Sequence, residues 1–410
     1  MPKIYFDHVT TTPTRTEVAQ EMWPYFTEIF GNPGSFHSTG RQAYSAIEAA
    51  RAKVAQAIGA KPAEIVFTSG GTEAINMAIK GIARANKKKG NHIITCAIEH
   101  HASLNSCKAL AKEGFEVTVL PVDANGMVSA ADVARAITDQ TILVNIMHAN
   151  NEVGTIQPIE EIARITKEKG VFFHTDACQT VGRLPINVEE MGIDLLSLSG
   201  HKIYGPKGVG ALYIRKGVKW QPLFNGGAQE RLRRSGTENV PGIVGLGVAL
   251  ELATVEMEKE MARMADLRDR LVEGLLSKIK RTKLTGHPTN RLPNHVSLLI
   301  EFIEGESQLL SLDAKGIAAS TGSACTSGSL EPSHVLLAMG IPHEQAHGSL
   351  VLSLGRDNQL EDVEYFLTVF PEIVERLRSI SPLDEDVELP VGTTCGSCHS
   401  FRSCRDSTGS

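Results

Sequence analysis

A basic surface is what this chain most plainly lacks. Its 410 residues carry 41 Lys and Arg against 47 Asp and Glu, a formal net charge of −6. That balance argues against nucleic acid as a primary partner. Apolar runs of membrane-spanning length are also missing from the reading, so no membrane partner is expected. The start, Met1-Pro2-Lys3-Ile4-Tyr5-Phe6-Asp7, does not follow the charged-then-apolar pattern of a leader, and a soluble, cytoplasmic protein is expected. No internal repeat is found. Cysteine is scarce and uneven: Cys96, Cys107, Cys178 and Cys325 are scattered, while Cys395, Cys398 and Cys404 crowd the C-terminal end. Seven cysteines in this pattern suggest free thiols, with metal or redox chemistry open to the last three. What remains, 42% hydrophobic and 21% charged, is ordinary globular composition with length for two to three domain-sized units.

Helical patterning alternates with short β-rich runs over residues 15–255. Glu64–Thr68, His92–Thr95, Glu116–Leu120, Ile142–Ile146, Val171–His174 and Ile193–Ser199 read as strands. Ser45–Ile58, Glu73–Arg84 and Ile159–Lys169 read as helices. Such alternation implies βαβ units and an α/β fold on a mainly parallel sheet. From about residue 256 the texture changes. Met257–Lys280 reads as a long charged helix linking the large unit to a smaller one, with strands His295–Glu301 and Gly348–Ser353. The expected division is an N-terminal segment 1–14, a large unit 15–255, a small unit 256–385 and a Cys-rich tail 386–410.

The chemistry gathers around Lys202. It follows the run ending at Ser199 and sits between Gly200-His201 and the turn Tyr204-Gly205-Pro206-Lys207-Gly208. A lysine among anion-binding neighbours suits a Schiff base to an aldehyde cofactor carrying a phosphate, which points to pyridoxal phosphate. Such a cofactor needs an anion cradle, and Ser69-Gly70-Gly71-Thr72 lies between a strand and a helix, where backbone N–H groups converge. Ser199 and His201 add donors. Asp176 stands where a carboxylate can keep a pyridine nitrogen protonated, or else caps the following segment. Gln179 can donate to the ring's phenolic oxygen, and His100 can stack on its face. His101 and His148 read as structural. Arg356 offers a fork for a substrate carboxylate or a surface ion pair.

Cys325 differs from the other cysteines. Ser320-Thr321-Gly322-Ser323-Ala324-Cys325-Thr326-Ser327-Gly328-Ser329 surrounds it with small polar residues and gives it little to pack against. It reads as an accessible thiol able to act as a nucleophile. Cys96, Cys107 and Cys178 have apolar neighbours and read as inert. In the tail, Cys395, Cys398 and Cys404 with His399 offer three thiolates and an imidazole. A zinc or iron–sulfur site, with Cys325 as a further candidate ligand, stands beside thiol chemistry and the absence of any defined role.

Taken together, the chain resembles the NifS/IscS-type cysteine desulfurases of the class V, fold-type-I pyridoxal phosphate enzymes over roughly residues 3–380. The segments that carry the likeness include Gly31-Asn32-Pro33, Thr68–Asn76, Glu99-His100, His148–Gly154, Asp176–Gln179, Ser199–Gly208, Arg234–Asn239 and Ser323–His334. The resemblance implies a seven-stranded, mainly parallel sheet with a smaller α/β domain, in a homodimer that converts L-cysteine to L-alanine. It implies that Lys202 carries the cofactor and moves protons, helped by His100. Asp176 then pairs with the ring nitrogen and Gln179 with the phenolic oxygen. Gly71, Thr72, Ser199 and His201 hold the phosphate, with Thr237 reaching in from the other subunit. Asn151, also a cofactor contact, and Arg356 orient the substrate. Cys325 takes the sulfur as a persulfide and passes it to an acceptor or scaffold protein, for iron–sulfur cluster assembly.

The chain departs from that pattern at His8-Val9-Thr10, at Val351 and at Asp357-Asn358, all near the expected substrate side. A selenocysteine lyase uses the same chemistry and is the enzyme alternative. A scaffold that keeps the fold and binds a metal or partner through its tail is the other, and the complete lysine–aspartate–cysteine set argues against it.

Overall fold

The computed structural model describes residues 4–322 and 332–381. Cys325 and the tail cysteines Cys395, Cys398 and Cys404 lie outside the described residues. Twelve strands are found among the described residues. They are β1 Ile4–Tyr5, β2 Ile65–Thr68, β3 His92–Cys96, β4 Glu116–Leu120, β5 Thr141–Asn145, β6 Phe172–Asp176, β7 Leu195–Ser199, β8 Gly210–Ile214, β9 Thr282–Leu284, β10 His295–Ile300, β11 Ile317–Ala318 and β12 Ser349–Ser353.

Seven of them form one sheet in the order β2-β8-β7-β6-β5-β3-β4. From β4 to β7 the pairing is parallel, and β8 runs antiparallel to both of its neighbours. The mainly parallel α/β sheet expected from the alternation is present. Strand β8 is one that the sequence reading does not pick out; its apolar stretch Gly-Ala-Leu-Tyr-Ile is too short for periodicity to classify.

Strands β3, β5 and β7 are buried at every position because helices cover both faces of the sheet. Adjacent residues serve opposite cores. Ile94 joins the cluster beneath helices Ser38–Ala57 and Val240–Lys278, whereas Ile93 joins the one beneath Gly71–Asn86 and His101–Lys112. A third cluster gathers Ile4, Phe6, Leu271, Val296, Leu352 and Phe366 around the antiparallel sheet β12-β10-β9. There β1 pairs in parallel with β11, which ties the start of the chain to this part of the fold.

Two corrections concern the long helix. It begins at Val240 and not at Met257, with Asn239 accepting from Gly242 N at 3.2 Å as a cap and Pro241 in the first turn. Its three early glycines do not break it, because they let it pack closely: a methyl group on Gly247 would lie 2.9 Å from Ala50 Cα. Counted from Val240, this helix is long and apolar enough to pass for a membrane span, contrary to the reading that no stretch reaches that length. Half of the apolar window is buried inside the fold, as in the core helix of a globular protein.

Candidate active site

The carboxyl-terminal ends of the parallel strands point to one edge of the sheet, where open α/β sheets bind their ligands. There β6 ends at Asp176, β7 at Ser199, and β2 leads through Ser69-Gly70 into the helix Gly71–Asn86. This turn is glycine for two reasons. Gly70 has φ of +149°, and a methyl on Gly71 would meet Cys178 Sγ at 2.6 Å and Ser199 Cβ at 3.5 Å. An open hollow of about 440 Å³ lies over the helix start, lined by Gly71, Thr72, Ser199, His201, Thr11 and Lys207 among others. The backbone N–H groups at the head of this 16-residue helix suit the hollow to an anion.

Lys202 closes a single 3₁₀ turn, Gly200–Lys202, directly after β7. Its Nζ donates to Val9 O at 2.5 Å and to Thr10 O at 2.6 Å. Gln179 Nε2 donates to the same Val9 carbonyl at 3.0 Å. The N-terminal segment that departs from the family pattern therefore lies against the lysine itself. Lys202 also lines a small cavity with Arg356, Arg183 and Tyr204, separate from the hollow over the helix start.

His100 caps helix His101–Lys112, its Nδ1 accepting from Ala102 N at 3.1 Å. Burial pushes its pKa down, the Asp176 carboxylate pulls it up, and the Lys202 and His101 charges lower it further. Those influences bring His100, Asp176 and Lys202 together as one electrostatic group. Asp176 accepts from Cys178 N at 2.9 Å within a turn; no helix stands between β6 and β7 for it to cap. His201 shares a 3.0 Å contact with Thr11 Oγ1; burial first, then Lys202 and Lys207, holds its pKa near about 4, so the ring is neutral at pH 7.

These residues fit pyridoxal phosphate. The glycine cradle admits a ligand where a side chain would not, the helix start suits its phosphate, and an aspartate, a histidine and a lysine converge beside it. Other expected residues stand differently. Thr237 is exposed and lines a neighbouring hollow with Arg234 and Asn239, not the phosphate hollow of its own chain. Asn151 accepts through its backbone carbonyl from His295 Nε2 at 2.9 Å. Arg356 donates its backbone N–H to the Tyr204 hydroxyl at 2.8 Å, and its guanidinium stands 3.8 Å from Asp357. Burial raises the thiols of Cys96, Cys107 and Cys178, Cys107 to about 12, which disfavours their thiolate forms. Among the described residues no group of three or more metal-ligating side chains occurs.

Sequence reasoning missed Arg183. It is buried and donates to Lys202 O at 2.6 Å and to Gln179 O at 2.9 Å, with no carboxylate partner among the described residues. The spacing of four from Gln179 is the one signal that could have found it.

The model of the family described as aminotransferase class-V matches residues 4–366. The chain belongs to that family. A cysteine desulfurase IscS from Methanosarcina thermophila is 62% identical over 380 residues, covering 93% of this chain and 94% of that one. One from Dictyoglomus turgidum is 55% identical, covering 94% and 98%. Among solved structures, a NifS-like protein superposes with a TM-score of 0.87 at 42% identity, covering 92% of this chain and all of that one. A structure described as SspA in complex with cysteine gives 0.77 at 39% identity, covering 86% and 98%.

Proposed function

We propose that this class V family member is a pyridoxal phosphate-dependent cysteine desulfurase, converting L-cysteine to L-alanine and transferring sulfur through Cys325. The observation that carries the reading is Lys202 at the end of β7, electrostatically joined to His100 and Asp176 beside a glycine-floored anion hollow, in a chain 62% identical to a cysteine desulfurase. Gly71, Thr72, Ser199 and His201 would hold the phosphate, Asp176 the ring nitrogen and Lys202 the aldehyde carbon. When bound, the cofactor supplies an electron sink for bond breaking at the amino acid.

The chain's own groups do the rest. Lys202 moves protons at the substrate's α-carbon, and the neutral imidazole of His100 is placed to accept or return one. Arg356, with Asn151, orients the substrate carboxylate. Cys325 attacks as a thiolate: an S–S bond forms, the C–S bond breaks, and its electron pair stays with the carbon skeleton that leaves as alanine. The persulfide then passes to an acceptor or scaffold protein, in support of iron–sulfur cluster assembly. A homodimer is part of the proposal. It is supported by Thr237 standing outside its own phosphate hollow and by the exposed aromatics Trp23, Phe26, Phe30 and Phe36. The tail thiols Cys395, Cys398 and Cys404 remain candidates for a zinc or iron–sulfur site.

Incubation with L-cysteine followed by mass analysis of the Cys325 peptide tests the reading. One added sulfur atom on that peptide and equimolar alanine are expected. Cys325→Ser should keep the cofactor's visible absorbance and lose sulfide release. Undiminished sulfide release by Cys325→Ser in the presence of a thiol reductant would refute the persulfide role.

A further inference from the structure

One buried carboxyl is not used by the chemistry above. Glu152 lies in the turn after β5, only 7% exposed, and among the described residues no lysine or arginine is paired with it. Its backbone is fixed from below: Asn150 Oδ1 accepts from the N–H groups of Glu152 at 2.8 Å and Val153 at 2.9 Å, and Asn150 Nδ2 donates to Ile98 O at 2.8 Å. Burying an acid without a cation is costly, so something must be gained by it.

The carboxyl bonds one end of the segment that carries Cys325 and lies close to the other. Ser333, beyond that segment, donates its hydroxyl to Glu152 Oε2 while accepting from Val335 N at 3.1 Å and Leu336 N at 3.3 Å as the cap of helix His334–Ala338. Gly322, before it, comes so close that a methyl there would lie 3.1 Å from Glu152 Oε2 and 3.0 Å from Ser333 Cβ. Gly322 N also donates to Ser349 Oγ on β12 at 3.3 Å. The two stems thus meet over one carboxyl group. The second stem is fixed to the catalytic histidine's turn as well. His334 Nε2 donates to Glu99 O at 3.0 Å, and its ring stands 4.6 Å from that of His101, next to His100.

We propose that Glu152 is a positioning residue for sulfur transfer, its carboxyl anchoring Ser333 beside Gly322 and so fixing where the chain carrying Cys325 re-enters the fold next to where it leaves. The proposal rests on Cys325 being the sulfur acceptor. Glu152 acts by holding the nucleophile's approach in register, where a displacement of an ångström costs orders of magnitude in rate. A carboxamide keeps the oxygen that accepts from Ser333, so Gln should serve nearly as well as Glu, and Ala should not.

The holoenzyme is the material for the test. Glu152→Ala is expected to slow persulfide formation on Cys325 in a single turnover by about tenfold or more, with the KM for cysteine and the cofactor absorbance unchanged. Glu152→Gln should restore the rate to within roughly threefold of wild type. Ser333→Ala removes only a hydroxyl and should slow the step in the same direction; it decides the matter if Glu152→Ala does not fold. A wild-type rate in Glu152→Ala or Ser333→Ala, or no rescue by Gln, overturns the proposal. A second measurement, the rate of Cys325 alkylation by iodoacetamide, needs no turnover and should rise at least roughly threefold in Glu152→Ala. If wild type forms no persulfide, the functional reading falls by itself, and unchanged alkylation would then remove the positioning role too.

Discussion

Gly71 has no room for a methyl group, and that single fact separates this turn from the many strand–helix connections that merely look alike. A Cβ there would sit 2.6 Å from Cys178 Sγ, so Gly71→Ala must push either the turn or the cysteine out of place. Because the same backbone forms the anion cradle, Gly71→Ala should weaken retention of pyridoxal phosphate by about tenfold or more, read as loss of visible absorbance on dialysis. Adding Cys178→Ala removes the clashing sulfur and should recover much of the loss; no recovery would locate the cause elsewhere. At this scale the sequence marks Lys202, Asp176 and His100, because each stands at or just after the end of a strand. It was silent on the carbonyls of Val9 and Thr10 that accept from Lys202, since a backbone acceptor leaves no mark on residue identity. Arg183 was hidden for a similar reason: its donors go to the Lys202 and Gln179 carbonyls.

Elements lie where hydrophobic patterning puts them, but what fixes their relative positions comes from polar groups far apart in sequence. Across the sheet, Glu99 Oε2 accepts from Asn145 Nδ2 at 3.2 Å, Asn145 Oδ1 meets His174 Nδ1 at 2.6 Å, and His174 Nε2 meets Ser197 Oγ at 2.8 Å. Burial holds the His174 pKa near about 3, so its ring is neutral and donates through one nitrogen while accepting through the other. This row stitches β5, β6 and β7 just beneath Asp176 and Ser199. A second fastening holds the segment leading to Thr237. Glu230, Arg231 and Leu232 all have positive φ, between 49° and 65°, which costs of order 1–3 kcal/mol per residue. Glu230 offsets that cost by taking both guanidinium nitrogens of Arg51 at 2.7 Å and Phe67 N at 2.9 Å. Both side chains are buried. Glu230→Ala takes the buried carboxylate from Arg51 and leaves it Glu48, 2.9 Å away and partly exposed, as its ion-pair partner, so up to about 3 kcal/mol of stability should be lost in denaturant titration. Glu230→Ala combined with Arg51→Leu should lose less, since no buried guanidinium is then left short of a carboxylate. The strands were readable from local apolar runs; a pair separated by 179 residues was not.

Over the whole molecule, one helix joins the two parts of the fold. The first turns of Val240–Lys278 enter the core under the large sheet with Ile243 and Leu246, and its later turns enter the smaller core with Leu267 and Leu271. Both cores also bury ionisable groups without neutralising partners, and this gives the protein a defined response to acid. Burial lowers His8, His148 and His201 to about 4 and His174 and His295 to about 3, while burial raises Glu99 and Glu152 to about 7. In the unfolded chain these imidazoles return to about 6.5 and the carboxyls to about 4.3. Between those two values, unfolding takes up protons at these five histidines and releases them at the two glutamates. The unfolded state therefore binds more protons, and stability must fall as pH falls from about 6.5. The carboxyls act in the opposite sense: their folded form is protonated up to about pH 7, so their share of stability declines as pH rises through that range and flattens above it. With the histidines outnumbering them, denaturant midpoints measured at pH 7, 6 and 5 should decrease steadily. Replacing Glu152 by Gln should steepen that decrease, because one of the two opposing groups is removed. A midpoint that holds constant or climbs toward pH 5 would mean that the buried imidazoles are already charged in the folded protein, and that the polar row beneath the active site is not held by a neutral His174.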